Sequence, residues 1–406
     1  MPVHDQIKTG EENTEQVKST RKEFGKVKET PRSTTRYPLN EVIVNNHLIE
    51  TTRSNEVAIQ KPIQRFRREE SDMTYIRLKK RRVYDDRKSI ETDRNQEQKV
   101  VLGRNTDNLK TNSKPEKWKD LDKAELNDIS MVAEYSSSIF EYLYRRELET
   151  LPSHNYLLER SSKYHIRPSM RAILVDWLVE VHEKFQCYPE TLFLSINIMD
   201  RFLSKNKVST NKLQLLAVTS LFIAAKFEEV RLPKLADYAY ITDGAASKSD
   251  IRNAEMYMLT SLNFDLGWPS PMGFLRRISK ADSYHFETRN IGKFLLEVAT
   301  CSHLFVSLKP SLLSCMAMYT ARRITNTDDI LWNETFKHYS GGIDPLHDQS
   351  FQALCRDLVK EVSHPQTKLE GLALKFKKPI FGSLFSKVHQ WCDMQVSDNF
   401  SKLFTE

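Results

Sequence analysis

Residues 170–185 read Met-Arg-Ala-Ile-Leu-Val-Asp-Trp-Leu-Val-Glu-Val-His-Glu-Lys-Phe and constrain the fold more than any other stretch. Met170, Ile173, Leu174, Trp177 and Val181 recur at i, i+3, i+4, i+7 and i+11, one stripe of an α-helix. Ala172, Val175, Leu178 and Val179 add apolar surface off that stripe. Such a helix is too hydrophobic for one buried face and a polar back. It is either wrapped on every side at the centre of an all-α domain, which periodicity favours, or packed on one strip with another kept for a partner.

The surroundings are helical too. The pattern predicts an amphipathic helix over 129–148, through Val132, Ile139, Tyr142 and Leu143. Pro168 falls just before the apolar helix, with Ser169 as its N-cap. Further helices are predicted at 189–203, 212–227, between Pro233 and the Thr242-Asp243-Gly244 turn, and at 248–262. Gly267-Trp268-Pro269 breaks the chain. The pattern resumes at 272–280, 288–305, 310–323, 331–339 and 349–362. The segments 212–226 and 311–323 both set small residues in an apolar run behind a polar cap, a weak internal repeat. β-branched alternation is absent, so the fold class is all-α.

The net charge of +7 is uneven. Residues 1–120 hold 27 Lys+Arg against 20 Asp+Glu, and the rest of the chain holds 34 of each. That first segment has no Cys, Trp118 sits at its edge, and its apolar residues lack a period. It cannot bury enough surface to offset the entropy of ordering, so it is expected to be a disordered tail. Acids interleave its basic residues without an aromatic-basic register, which argues against direct nucleic-acid binding. Five widely spaced cysteines, with no CxxC or Cys/His cluster, suggest reduced thiols and no metal. No apolar core of a signal peptide and no membrane-spanning run is found, so a soluble intracellular protein is expected.

No catalytic site is expected. The 11 glycines form no phosphate-covering loop, and no Asp-Phe-Gly, Gly-x-Ser-x-Gly, P-loop or His-Glu-x-x-His string occurs. Adjacent acids such as Glu228-Glu229 read as solvated carboxylates at a helix end. No cofactor is implied.

The string Met170–Leu178 resembles the hallmark of the cyclin box, the helical module by which cyclins bind and activate cyclin-dependent kinases. Arg201-Phe202-Leu203, Lys212-Leu213-Gln214-Leu215, Lys226-Phe227-Glu228-Glu229 and Leu262-Asn263-Phe264-Asp265-Leu266 follow in the family's order. The likeness continues through Pro310-Ser311 and Tyr339-Ser340-Gly341-Gly342. Residues 241–246 and 274–280 are most similar to the S-phase B-type cyclins of budding yeasts. The resemblance implies two tandem cyclin folds, at 125–268 (with a capping helix) and 269–400, behind the 1–120 tail. It also implies a non-catalytic regulatory subunit in a heterodimer with a kinase, promoting cell-cycle progression through S-phase entry or early mitosis. A cyclin-fold transcription-factor adaptor is the alternative; it usually brings a zinc ribbon, which is absent from this sequence.

The resemblance also assigns residues. Lys226 would donate to, and Glu255 accept from, the kinase main chain, and a Lys and Glu in apolar surroundings are expensive unless paired. Phe227, Phe264, Ile139 and Tyr142 would be apolar contacts to the kinase's mobile helix, or else ordinary core, Phe264 first among them. Met170, Ile173, Leu174, Trp177, Leu213 and Gln214 would form a groove for Arg-x-Leu-type peptides of substrates and inhibitors. Glu180 would meet the peptide arginine. Ile173 is the first candidate in that set to pack inward instead. In the tail, Arg36, Leu39, Val42 and Asn45 fit an extended destruction box for the anaphase-promoting ubiquitin ligase. Lys79, Lys80, Arg81 and Arg82 form a basic run that reads as a nuclear signal or a solvated charge run. Thr30-Pro31 is a minimal proline-directed phosphorylation site. Residence in the nucleus, with cytoplasm, is expected.

Overall fold

The computed structural model describes residues 117–325 and 331–404. Arg36–Asn45, Lys79–Arg82 and Thr30, with nearly all of the 1–120 segment, lie outside the described residues. Among the described residues there are helices and no strands, as the periodicity predicts. The first fold comprises α1 (Ser136–Glu149), α2 (Pro168–Phe185), α3 (Pro189–Lys205), α4 (Leu213–Glu228), α5 (Leu235–Ile241) and α6 (Lys248–Ser261). The second comprises α7 (Pro271–Ser279), α8 (Phe286–Cys301), α9 (Pro310–Thr325), α10 (Glu334–Tyr339), α11 (Gln349–Ser363), α12 (Glu370–Phe376) and α13 (Leu384–Ser397).

Each fold is built around one buried helix. In the first it is α4, packed on α3, α2 and α6. Ala217, Val218, Leu221, Ala224 and Ala225 expose nothing, so neighbouring backbones approach closely. In the second it is α9, packed on α8 and α7, with Cys315, Met316, Ala317, Met318, Tyr319 and Ala321 equally enclosed. Adding a methyl group or two at Ala217 or Ala224 would overpack the core at about 1–3 kcal/mol.

Several boundaries differ from the sequence reading. The apolar helix begins at Pro168 itself, in the first turn where its missing N–H costs nothing, and Arg167 takes the cap position assigned to Ser169. The predicted 129–148 helix starts only at Ser136. Val132 turns left-handed (φ 50°), and two short 3₁₀ turns, Ile129–Met131 and Ala133–Tyr135, precede α1. The 288–305 prediction ends at Cys301, before a separate 3₁₀ turn. Neither α12 nor α13 was predicted. The folded part also begins earlier than 125, because residues 118–122 pack on the second fold. Trp118 stacks on His338 at 3.4 Å, and the Leu121 N–H donates to Tyr339 Oη at 2.8 Å.

Candidate functional site

The C-terminal end of α4 is where the first fold opens outward. Lys226 directly follows the last buried alanines, Ala224 and Ala225, and its Nζ donates to Glu255 Oε1 of α6 at 2.6 Å. The Lys side chain is 45% exposed and the Glu 15%, so the pair sits at the surface; neither group reaches separately for water. The ammonium also lies 4.5 Å above the Phe222 ring. Around the pair, large apolar side chains face outward. Phe227 is 55% and Phe264 63% exposed, so neither is the ordinary core that the sequence left open for them. Phe264 follows Asn263 in a left-handed turn (φ 56° and 53°), closed by the Phe264 N–H to Leu259 O at 2.8 Å. A left-handed phenylalanine costs about 1–2 kcal/mol with no burial in return. Strain of this kind concentrates at functional sites.

The other two residues of this set, Ile139 and Tyr142, project from α1 at 41% and 53% exposure. Neither is therefore the ordinary core left open for them, and this part of the amphipathic stripe faces outward. The inner side is Ser136, Phe140, Tyr144 and Glu147, an aromatic and polar stripe that hydropathy does not register. Phe140 and Tyr144 pack on Phe274 of α7. Glu147 accepts from the Ser311 N–H and hydroxyl at the start of α9, at 3.0 and 2.7 Å. Gly341, at φ 80°, leaves room for Tyr144, whose Oη would lie 2.8 Å from a Cβ there. Arg146, in register with Ile139 and Tyr142, bonds Asp265 and the Gly267 carbonyl, tying the outer stripe to the Phe264 turn. Tyr135, also exposed, extends the stripe and was missed, because the 3₁₀ turns break the helical period.

The α2 helix falls between the two alternatives that its periodicity left open. It is buried nearly all round, and one stripe stays half-buried: Met170, Ile173, Trp177 and Glu180. Leu174, at 6% exposure, is the member of the proposed groove that packs inward; Ile173 is not. Leu213 is likewise core, at the first turn of α4, and Gln214 beside it is half-exposed. Glu180 lies under α12, where a Cβ on Gly371 would sit 2.6 Å from its Cγ. Burial first, then the neighbouring Asp176, pushes its carboxyl above the ordinary range.

The polar residues of the same string were not singled out from sequence. Arg171 makes two bonds to Asp200 of α3, at 2.9 and 2.7 Å. Its remaining nitrogen donates to the Thr300 and Cys301 carbonyls at the end of α8, at 3.0 and 3.1 Å. Asp176 accepts the Gly371 and Leu372 N–H groups at the start of α12, at 2.8 and 2.9 Å. A cation thus meets a helix C-terminus and a carboxylate a helix N-terminus, as the helix dipole favours. Lys375 of α12 completes the seam with Glu297 (2.6 Å) and Glu183 (3.5 Å). Burial would lower its pKa, but the two carboxylates outweigh that and raise it.

The cyclin N-terminal domain matches residues 138–267, and the cyclin C-terminal domain matches residues 269–390. S-phase entry cyclin-6 of Saccharomyces cerevisiae is 55% identical over 275 residues, covering 68% of this chain and 72% of that protein. The chain belongs to the cyclins. S-phase entry cyclin-5 of the same yeast is 68% identical over 288 residues, 71% of this chain and 66% of that protein. The G2/mitotic-specific cyclin CLB2 of Candida albicans is 50% identical over 225 residues, 55% of this chain and 45% of that protein. The chain therefore spans just under two thirds of cyclin-5 and under half of the Candida cyclin. The likeness to S-phase B-type cyclins seen in residues 241–246 and 274–280 agrees with these identities.

Within this cyclin, Glu229 is structural: its carboxylate accepts from Thr191 Oγ1 at 2.7 Å and from the Tyr188 N–H, at the start of α3. It is not the solvated acid expected of it. Burial pushes the thiols of Cys301, Cys315, Cys355 and Cys392 up, so they stay protonated and inert. All five cysteines are buried and unbridged. Among the described residues no group of three or more His, Cys, Asp or Glu could hold a metal ion. None of their helices is long and apolar enough to cross a membrane.

Proposed function

We propose that this cyclin is the regulatory subunit of a cyclin-dependent Ser/Thr kinase and that its reaction partner, not the cyclin, carries the catalytic groups. The observation that carries the reading is the outer face of the first fold. The first fold carries a surface Lys226–Glu255 pair and four exposed apolar residues, Phe227, Phe264, Ile139 and Tyr142, one of them in a strained turn. Exposed aromatics beside a charge pair are the makings of an interface hot spot. Docked there, the kinase's mobile helix would be pressed inward, moving its Glu toward the ATP-site Lys so that phosphoryl transfer proceeds. The names of the two yeast relatives support a role at S-phase entry.

The half-buried stripe Met170, Ile173, Trp177 and Glu180, with Gln214, supports a second role, capture of Arg-x-Leu-type segments of substrates and inhibitors. Leu174 and Leu213 would form the floor beneath it. The Arg36–Asn45 motif supports capture by the anaphase-promoting ubiquitin ligase, and Lys79–Arg82 supports nuclear import. The deciding experiment mixes the purified chain with a monomeric cyclin-dependent kinase and a peptide substrate. Phosphotransfer is expected only with both proteins present. Transfer by the chain alone, or no stimulation of the kinase, overturns the reading.

A further inference from the structure

The segment that precedes both matched domains has a place in the fold that no domain match covers. Trp118 stacks on His338 and meets Tyr339 edge-on, and the Lys119 N–H donates to Thr335 Oγ1 at 3.1 Å. Asp122 then lies at the junction of three elements. It accepts from Arg277 at 2.6 Å and from Lys280, both on or next to α7, and from the hydroxyl of Ser136, the first residue of α1, at 2.9 Å. Lys280 is held from the other side by Glu125 at 2.7 Å. The Arg277 guanidinium lies over Tyr339 of α10 and Phe140 of α1, at 4.3 and 4.7 Å. Asp122, Arg277 and Lys280 are each at least five-sixths buried.

We infer that residues 118–125 are a strap that fixes α1 to the second fold, and that Asp122 is a positioning residue for the Ile139/Tyr142 face. The inference rests on the proposed function for its consequence, though not for its geometry. α1 has few other holds: its inner aromatics, Glu147 on α9, and Arg146 on the Phe264 turn. Near its N-terminal end, Ser136 bonds Asp122, and Phe140 lies under the Arg277 guanidinium as well as against Phe274. Ile139 lies three residues from Ser136, so slack there displaces the outer stripe directly. Burial alone would raise the Asp122 carboxyl. The Arg277 and Lys280 bonds outweigh it and hold the group well below the ordinary carboxylate range, so the junction is charged at neutral pH.

The test compares the full chain with Asp122→Asn/Trp118→Ala, with Asp122→Glu, and with truncations that remove residues 1–116 or 1–124. Amide exchange is followed in 136–149 and in 171–182, alongside titration against a monomeric cyclin-dependent kinase. In the double variant and the longer truncation, exchange in 136–149 should rise about tenfold while 171–182 is unchanged, and kinase affinity should fall about tenfold. Asp122→Glu and the shorter truncation should behave like the full chain. Unchanged exchange in 136–149 overturns the strap. Raised exchange with undiminished kinase affinity overturns the positioning role. If the full chain binds no kinase, the proposed function fails instead, and the exchange arm still decides whether the strap exists.

Discussion

The outer face around Lys226 and the seam between the two folds use the same ingredients, paired charges and aromatic rings, in opposite ways. On the outer face Lys226 and Glu255 meet at the surface and the apolar residues beside them point outward. At the seam Arg171, Asp200, Asp176, Lys375 and Glu297 are all buried, and each is bonded by a group from another element. Removing one partner of a buried pair leaves an uncompensated charge, at about 3–5 kcal/mol. A surface pair contributes about 0–1 kcal/mol. Losing one partner at the seam is therefore expected to cost the fold far more than losing the surface pair. Under the proposed function, importance to folding and importance to binding would be carried by different charges.

The sharpest way to break this contrast is at Arg171. Arg171→Met should cost about 3–5 kcal/mol, because Asp200 keeps only Tyr156 Oη and the Thr300 and Cys301 carbonyls lose their donor. Denaturant unfolding would register this as a lower midpoint, and a loss under about 1 kcal/mol would put the seam on a par with a surface pair. Lys375→Met should follow at about 3 kcal/mol, since buried Glu297 loses the counter-charge bonded to it. Adding Glu297→Gln should return most of that loss. If the double variant is no more stable than the single, the Lys375–Glu297 pair is not what holds α12 on α8.

Helix positions were largely legible because a 3.6-residue period survives in one sequence. The outer-face residues were legible only through family resemblance. Periodicity placed Ile139 and Tyr142 on an apolar stripe without saying which way it faces, since hydropathy cannot tell a face packed on the core from one left exposed. The seam was illegible for a different reason. Arg171 and Asp176 look like incidental polar breaks in an apolar helix until α8 and α12 supply the carbonyls and N–H groups they meet, more than a hundred residues away. The strap at 118–125 was missed likewise, because its order derives from Arg277 and Tyr339 and no local period announces it. The short α12 depends on Gly371 for its approach to α2, a requirement visible only once both helices are placed.

The α2 stripe lies between the two extremes. Leu174→Ala should cost about 2–5 kcal/mol, as for other buried leucines, and so cannot report on docking. Met170→Ala with Gln214→Ala spares the floor and should cost no more than about 1.5 kcal/mol. In the kinase complex this pair should raise KM for substrates carrying an Arg-x-Leu-type motif and leave kcat unchanged, because a remote contact serves ground and transition states alike. An equal effect on a peptide without the motif would place these residues outside the docking groove.

The smallest stability effect belongs to the charges with the largest proposed consequence. Lys226→Ala with Glu255→Ala removes a pair whose lysine is nearly half exposed, so screening by water leaves about 0–1 kcal/mol to lose. The Tm should therefore stay within a few degrees of the unsubstituted chain. Kinase association should nonetheless fail, because the same two groups would be the donor and acceptor for the partner's main chain, and their absence strands polar groups in an interface closed to water. Phe227→Ala separates the polar from the apolar share: it too should leave the fold intact while weakening association, since a side chain 55% exposed has little core to vacate. A measured destabilisation of 3 kcal/mol or more for the double variant, the order seen for buried pairs, would erase the distinction between face and seam. Full kinase binding by a stable double variant would keep the distinction and move the partner's contact elsewhere on this fold.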